Sequence, residues 1–378
     1  MMNSMRLTKS ALVISALLSS LYTVNAAAED GMNIGGSVRV NYGMKLYNDQ
    51  SKDKGGDLNF DVLTLKFDGT HGDWGLSSEY RFASGKNFIK WGYGYYNIDP
   101  EWQLQFGINK VPFGNPGFIS NSWWFGLPYY LGFEDDFDVG AKATFDNGKW
   151  HTDIAFYKNG EYNSKDTKAY APDIFSGTVN GTEYNNEETN QINLRQTYTL
   201  SDGDLKIVMG GSLEYGQIYN SKTEKNGDRN AFAVHMDAGY QGWKLQLQAM
   251  QYEFDAENPD GMDNNKIGLG GAGWQYEVAS KGQIYSFNLA KTIPTSWGSV
   301  KIYNDFGLMT PDVDDSSYDN SYQNVTGAAF SAGPIYIMAD FIMGKNMTFS
   351  TKMDDHVGLP EAGDGWDQRI NINFGYYF

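Results

Sequence analysis

From Trp366 to its carboxy terminus the chain alternates with a period of two. Trp366, Gln368, Ile370, Ile372, Phe374, Tyr376 and Phe378 share one face, almost all of them apolar or aromatic. Asp367, Arg369, Asn371, Asn373 and Gly375 share the other. A strand sends successive side chains to opposite faces, so this segment is built to separate an oily surrounding from a wet one. The pattern recurs along the chain. Val38, Val40, Tyr42, Met44 and Leu46 alternate with Arg39, Asn41, Gly43 and Lys45, and Trp74, Leu76, Tyr80 and Phe82 with Gly75, Ser77, Glu79 and Arg81. Trp102, Leu104, Phe106 and Ile108 continue it, as do Trp243–Ala249 and Ile335–Phe341.

Lipid cannot satisfy an unpaired strand edge, so strands facing it must close on themselves. The expected fold is therefore all-β, a transmembrane antiparallel β-barrel. A mean hydropathy of −0.50 fits such a barrel, because only alternate residues are apolar. No stretch after residue 26 approaches the ~20 apolar residues a spanning helix needs. The 26 Tyr, 22 Phe and 10 Trp are enough for interfacial aromatic girdles and a lipid-facing band.

Turn residues punctuate the pattern. Short turns are expected at His71–Asp73, Ile98–Pro100, Asp146–Gly148, Ser201–Asp204, Gln241–Gly242, Thr295–Gly298 and Ala332–Pro334. Between them lie mostly longer connections, near 48–57, 83–87, 110–137, 158–190, 220–230, 255–281, 310–320 and 345–365. This predicts 16 strands, near 34–47, 58–69, 74–82, 88–98, 102–110, 138–146, 149–157, 190–200, 205–219, 231–240, 243–254, 282–293, 299–308, 321–331, 335–344 and 366–378. Residues 266–279 also look strand-like, but an odd count would put the chain ends on opposite sides, so they are assigned to a loop; 18 strands is the alternative. Sixteen strands leave a lumen that side chains do not fill.

Residues 1–26 read as a cleaved signal peptide, leaving 27–378 as one barrel domain. Arg6 and Lys9 precede the uncharged stretch Ala11–Leu21, and Val24–Ala26 or Ala26–Ala28 offers a cleavage site. The absence of cysteine rules out disulfide scaffolds, thiol catalysis and thiolate metal sites. Loss of Arg6 and Lys9 turns 29 basic residues into 27 against 46 acidic ones, a net −19, which argues against nucleic acid as a partner. The acidic runs Asp260–Asp263 and Asp312–Asp315 read as solvated loops rather than Ca²⁺ sites, for neither has EF-hand spacing, and Asp354–Asp355 reads as a solvated loop too. His71, His151, His235 and His356 are isolated, without metal-ligand spacing, and no nucleophile or phosphate-cradling motif occurs. Neither cofactor, metal nor catalytic residue is expected.

One connection stands apart. Residues 110–137 carry three prolines, two tryptophans and a closing acidic run, too aromatic for a loop surrounded by water, so they are expected to pack against something. Together the leader, the alternation, this third long loop and terminal Phe378 resemble the trimeric general porins of Gram-negative outer membranes. More narrowly, Phe106-Gly-Ile-Asn-Lys-Val-Pro-Phe-Gly114, with Glu134–Gly140 beyond the loop, is similar to a strand-loop-strand passage of the phosphate-selective porin family.

The resemblance implies that the loop folds into the lumen of a water-filled channel for passive diffusion of small hydrophilic solutes and ions. It also implies a homotrimer seated in outer-membrane lipid and lipopolysaccharide, and a terminal signal (Phe374, Tyr376, Phe378) read by the barrel-assembly machinery. That family's anion preference goes with inward arginines and a lysine cluster. Here the chain after the leader has five arginines and shows no lysine cluster inside strands, so phosphate selectivity is not carried over.

Alternation points Arg39, Arg81, Arg195 and Arg369 inward. Arg39, Arg81 and Arg369 are expected on one wall near Glu79 and Lys45, since the first and last strands must pair. Lys110 opens the loop, and Glu134, Asp135, Asp136 and Asp138 close it, so acid is expected to face base across the bore with a weak cation preference. Trp123, Trp124, Tyr129 and Tyr130 either contact sugar rings or pin the loop. The alternatives are a porin biased toward oligosaccharides or anions such as phosphate, and a barrel that serves as an adhesin or enzyme.

Overall fold

The computed structural model describes residues 30–83, 85–115, 117–352, 355–360 and 365–378. The expected signal peptide lies outside them. Sixteen strands form one closed antiparallel barrel: β1 (Gly31–Lys45), β2 (Asp57–His71), β3 (Trp74–Ala83), β4 (Lys86–Asn97), β5 (Trp102–Lys110), β6 (Phe137–Asp146), β7 (Trp150–Gly160), β8 (Thr182–Asp202), β9 (Leu205–Asn220), β10 (Lys225–Tyr240), β11 (Trp243–Asp255), β12 (Lys281–Pro294), β13 (Ser299–Pro311), β14 (Ser321–Ala332), β15 (Ile335–Lys345) and β16 (Asp367–Tyr377). Each pairs with the next, and β1 closes on β16 from Ser37 opposite Tyr377 to Lys45 opposite Arg369. Phe378 adds two backbone bonds to Gly36, at 2.9 and 3.1 Å.

The outer surface is oily, as the alternation demands. Leu104, Phe106, Ile154, Phe156, Ile192, Leu213, Phe232 and Val234 all point outward and exposed. At the short-turn end Trp74, Trp102 and Trp150 each begin a strand and pair with Tyr96, Phe145 and Tyr198 across it, ring centroids 4.5–5.1 Å apart. Amphipathic rings gathered at one level make an interfacial girdle.

The expected strands are all present, but two reach well beyond their expected limits at the long-loop end. β8 starts at Thr182 and β10 at Lys225, so the expected long connection at 220–230 is only a turn at 221–224. Apart from Tyr184, both extensions are polar on each face, so they carry no apolar alternation to read. Residues 266–279 are indeed extended but lie off the barrel. Lys266–Gly271 and Trp274–Ala279 form a hairpin through Ala272 and Gly273, both at positive φ, as its tight turn requires. With Asp173–Ile174 and His356–Val357 the hairpin makes a separate four-stranded sheet. A Cβ on Gly270 would lie 2.6 Å from the Phe175 ring, an approach only glycine allows.

The long loops are therefore not all solvated. Leu127, Tyr129, Tyr130, Leu131 and Phe133 of the third loop pack with Ile267, Leu269, Tyr276 and Val278 of the hairpin, and with Tyr252 and Phe254 of β11. Burying each such side chain contributes about 1.5–3 kcal/mol, so this end has a core like that of a soluble protein. The loop at Asp312–Ser316 stays largely exposed, as expected.

Candidate functional site

Residues 111–115 and 117–136 run across the bore, and barrel side chains hold their backbone. Arg195 of β8 donates to the Gly114 carbonyl at 2.8 Å, Ser212 of β9 accepts the Gly114 N–H at 3.0 Å, and Gln248 of β11 accepts that of Asn115 at 2.9 Å. Asn288 of β12 donates to the Ile119 carbonyl. Asp305 of β13 accepts the N–H groups of Asn121 and Ser122 and the Asn121 amide, at 2.7–2.9 Å. Gln323 of β14 donates to the Phe125 carbonyl at 2.9 Å, and Asp340 of β15 accepts the Trp123 N–H at 3.2 Å. A loop in a lumen must satisfy its backbone without a ladder, and inward polar side chains do so here. Leu127–Leu131 then forms a 3₁₀ turn capped by Gly132 at φ 77°.

The loop thus lies against the β8–β15 wall and leaves a cavity of about 350 Å³ toward β1–β5. Five cationic side chains line it, Arg39, Lys66, Arg81, Lys90 and Lys110, against two carboxylates, Glu79 and Asp135. Arg39 bonds Asp61 at 2.9 Å. Glu79 is held by Arg81 at 2.5 Å and Lys66 at 3.2 Å. Asp135 is held by Lys90 at 2.5 Å and Lys110 at 2.6 Å. Burial pushes the Asp135 carboxyl up, but Lys110 and Lys90 together hold it below its ordinary value. Trp91, Phe118, Trp123 and Tyr170 are among the aromatic side chains of the lining. Tyr170, from the following loop, lies 4.4 Å over Arg81 and 3.7 Å over Lys90. Rings over cations keep those charges dry without neutralising them.

Several expected site residues lie elsewhere. Arg369 is off the arginine wall: it pairs across from Lys45, six residues along the strand from the Arg39 level, or about 20 Å. There it donates to the Phe349 carbonyl at 2.6 Å and stacks on Trp124 at 4.1 Å. Arg195 faces inward but anchors the loop on the far wall, beside Asp153 at 3.4 Å.

Of the four loop acids only Asp135 meets the basic wall. Glu134 turns into the loop, where it accepts the Ile119 N–H at 3.0 Å, and burial with Asp135 beside it raises its carboxyl to about 8. Asp136 and Asp138 point instead toward Glu161 and Asp173. Asp135 has φ 54°, and this left-handed backbone sends its neighbours away from it. Acid and base therefore meet as contact pairs, not as opposed rows. Tyr129 and Tyr130 are 4% exposed, which rules them out of a sugar track; Trp123 lines the cavity.

The chain does have an inward lysine cluster, contrary to the reading above. Lys66, Lys90 and Lys110 converge from β2, β4 and β5. Their separation in sequence hides this: Lys66 faces Glu79 across β2–β3, and Glu79 faces Trp91 across β3–β4 next to a register shift. Lys90 shares the parity of Phe88, which masks its inward direction.

No family model matches the sequence, and neither does any curated protein. Solved structures match the fold across nearly its whole length. The outer membrane channel DcaP of Acinetobacter baumannii has a TM-score of 0.58 at 15% identity, over 92% of this chain and 97% of that one. OmpT, an outer membrane protein of Vibrio cholerae in its trimer form, has 0.61 at 12% identity, over 93% and 100%. An anion-selective porin from Comamonas acidovorans has 0.57 at 13% identity, over 93% and 100%. The chain thus has the 16-strand barrel fold of outer-membrane porins.

Proposed function

We propose that this protein is a Gram-negative outer-membrane porin, a passive channel for small hydrophilic solutes whose constriction favours anions. The observation that carries the reading is the cavity beside the inserted loop, where five cations face two carboxylates. A fixed positive excess in a narrow, low-dielectric passage concentrates anions and repels cations. This reverses the weak cation preference expected from the acidic loops, because an ion is sorted where the passage is narrowest. Arg39, Lys66, Arg81, Lys90 and Lys110 set the field, while Asp61 holds Arg39, Glu79 holds Lys66 and Arg81, and Asp135 holds Lys90 and Lys110. The trimer form of OmpT supports assembly as a homotrimer. Phe374, Tyr376 and Phe378 end the strand that closes the barrel, which suits them to be an assembly signal.

Single-channel recording in planar bilayers tests the proposal. Stepwise ohmic conductance, with a reversal potential on the anion side in a tenfold KCl gradient, supports it. Absence of conductance, or a reversal potential on the cation side, overturns it.

A further inference from the structure

Behind the inserted loop, away from the cavity, the barrel gathers a group of acids, two buried and two half-buried, that the proposed channel does not use. Asp136 ends the loop, Asp138 lies on β6, Glu161 follows β7 and Asp173 belongs to the small inner sheet. One carboxylate oxygen from each lies within 4.8 Å of the other three. Four anions this close repel strongly unless a cation or shared protons lie among them. Arg229 lies near enough to act on Asp136, Asp138 and Asp173, but its one charge is also shared with Glu188 and, at 2.8 Å, with Glu214, so it cannot balance the group.

Further oxygens point to a ligand. Asp138 is 1% exposed and its Oδ1 has no hydrogen-bond partner. Glu188, outside the group of four and 7% exposed, leaves its Oε1 without one too. Gly160 shows where that oxygen points: a Cβ built there would lie 3.0 Å from Asp173 Oδ2 and 3.2 Å from Glu188 Oε1. The two oxygens therefore flank one small space that the glycine leaves open.

We propose that Asp136, Asp138, Glu161 and Asp173 bind a Ca²⁺ ion that fastens the inserted loop to the barrel wall and the inner sheet. All the donors are hard oxygens, with neither sulfur nor imidazole among them, which selects Ca²⁺ or Mg²⁺ over transition metals. Donor oxygens that all lie within 4.8 Å of one another fit inside a Ca²⁺ shell, whose bonds of about 2.3–2.6 Å set opposite ligands nearly 5 Å apart, and a cage of four carboxylates suits Ca²⁺ better than Mg²⁺, which keeps several waters and is held by one or two carboxylates. Glu188 Oε1 and water can fill the remaining positions. The ion would join three segments distant in sequence at the root of the loop.

The test uses the full barrel, refolded in detergent without lipopolysaccharide, stripped with EDTA and titrated with CaCl₂ by calorimetry at pH 7.5. The expected result is one Ca²⁺ per chain and a higher heat-unfolding midpoint with the ion. In the Glu161→Gln/Asp173→Asn double variant, binding should weaken at least tenfold and the midpoint should ignore Ca²⁺. Asp173→Asn alone gives the same comparison if the double variant does not fold. Asp312→Asn/Asp314→Asn, in an exposed loop, should bind as wild type does. A wild-type barrel that takes up no Ca²⁺ overturns the proposal and leaves shared protons to hold the acids together. Undiminished binding in the Asp173 variants overturns it too, because the ion then sits elsewhere.

Discussion

Replacing Lys66 by glutamine tests the basic constriction with little disturbance to the fold. Its side chain is 46% exposed, and the Glu79 carboxylate it contacts keeps Arg81 at 2.5 Å. A sphere of the cavity's 350 Å³ has a radius of about 4.4 Å, so a lining charge sits roughly 6 Å from a central ion and, at ε ~80, acts on it with about 0.7 kcal/mol. Losing that charge disfavours a passing anion and favours a passing cation by equal amounts. The permeability ratio then moves by about 1.4 kcal/mol, roughly tenfold at most. Salt reduces this, since the Debye length is about 10 Å at 0.1 M, and a threefold change is a reasonable floor. The assay is the reversal potential of the reconstituted channel in a KCl gradient, which should move toward the cation side. Arg369→Gln serves as control, because that guanidinium stacks on Trp124 rather than lining the cavity, and it should leave the potential in place. An unchanged potential in Lys66→Gln, or equal shifts in both variants, would refute the reasoning.

Asp305→Ala removes three hydrogen bonds to the inserted loop, so single-channel current should become noisier and the mean conductance larger; a trace like wild type argues against the anchoring role. Asp135→Asn leaves Lys90, with a side chain 5% exposed, without its carboxylate partner. The expected loss is about 3 kcal/mol, read from urea unfolding in lipid vesicles. Leu194→Arg places a charge between outward-facing Ile154 and Leu213. It should cost about 2–4 kcal/mol in the same vesicle assay, and much less in detergent.

The barrel was legible because lipid enforces strict alternation wherever a strand crosses it. Beyond the oily band the rule lapses, and there the reading failed: Thr182–Asn190 and Lys225–Asn230 are strands whose buried face is mostly polar, with Asn186, Glu188 and Arg229 on it. The inserted loop announced itself through aromatic content, since rings such as Tyr129 and Phe133 do not stay in water. The basic wall was only half legible. Parity told that Arg39 and Arg81 point inward, but not that Lys66, Lys90 and Lys110 arrive at the same height. Height depends on strand register, set by turns and by the shift at Glu79/Tyr80, and no periodicity reports it. The loop acids were misplaced for a related reason. Glu134, Asp135 and Asp136 look like one charged run, yet a single left-handed residue scatters them to three surroundings.

The wall grips the loop mainly by its peptide groups, at Gly114, Asn115, Ile119, Asn121, Ser122, Trp123 and Phe125. Peptide groups are the same in every residue except proline, so the fastening is indifferent to most exchanges of loop side chains. What the passage admits can therefore drift, one lumen-facing residue at a time, on a scaffold whose clasp never has to be rebuilt.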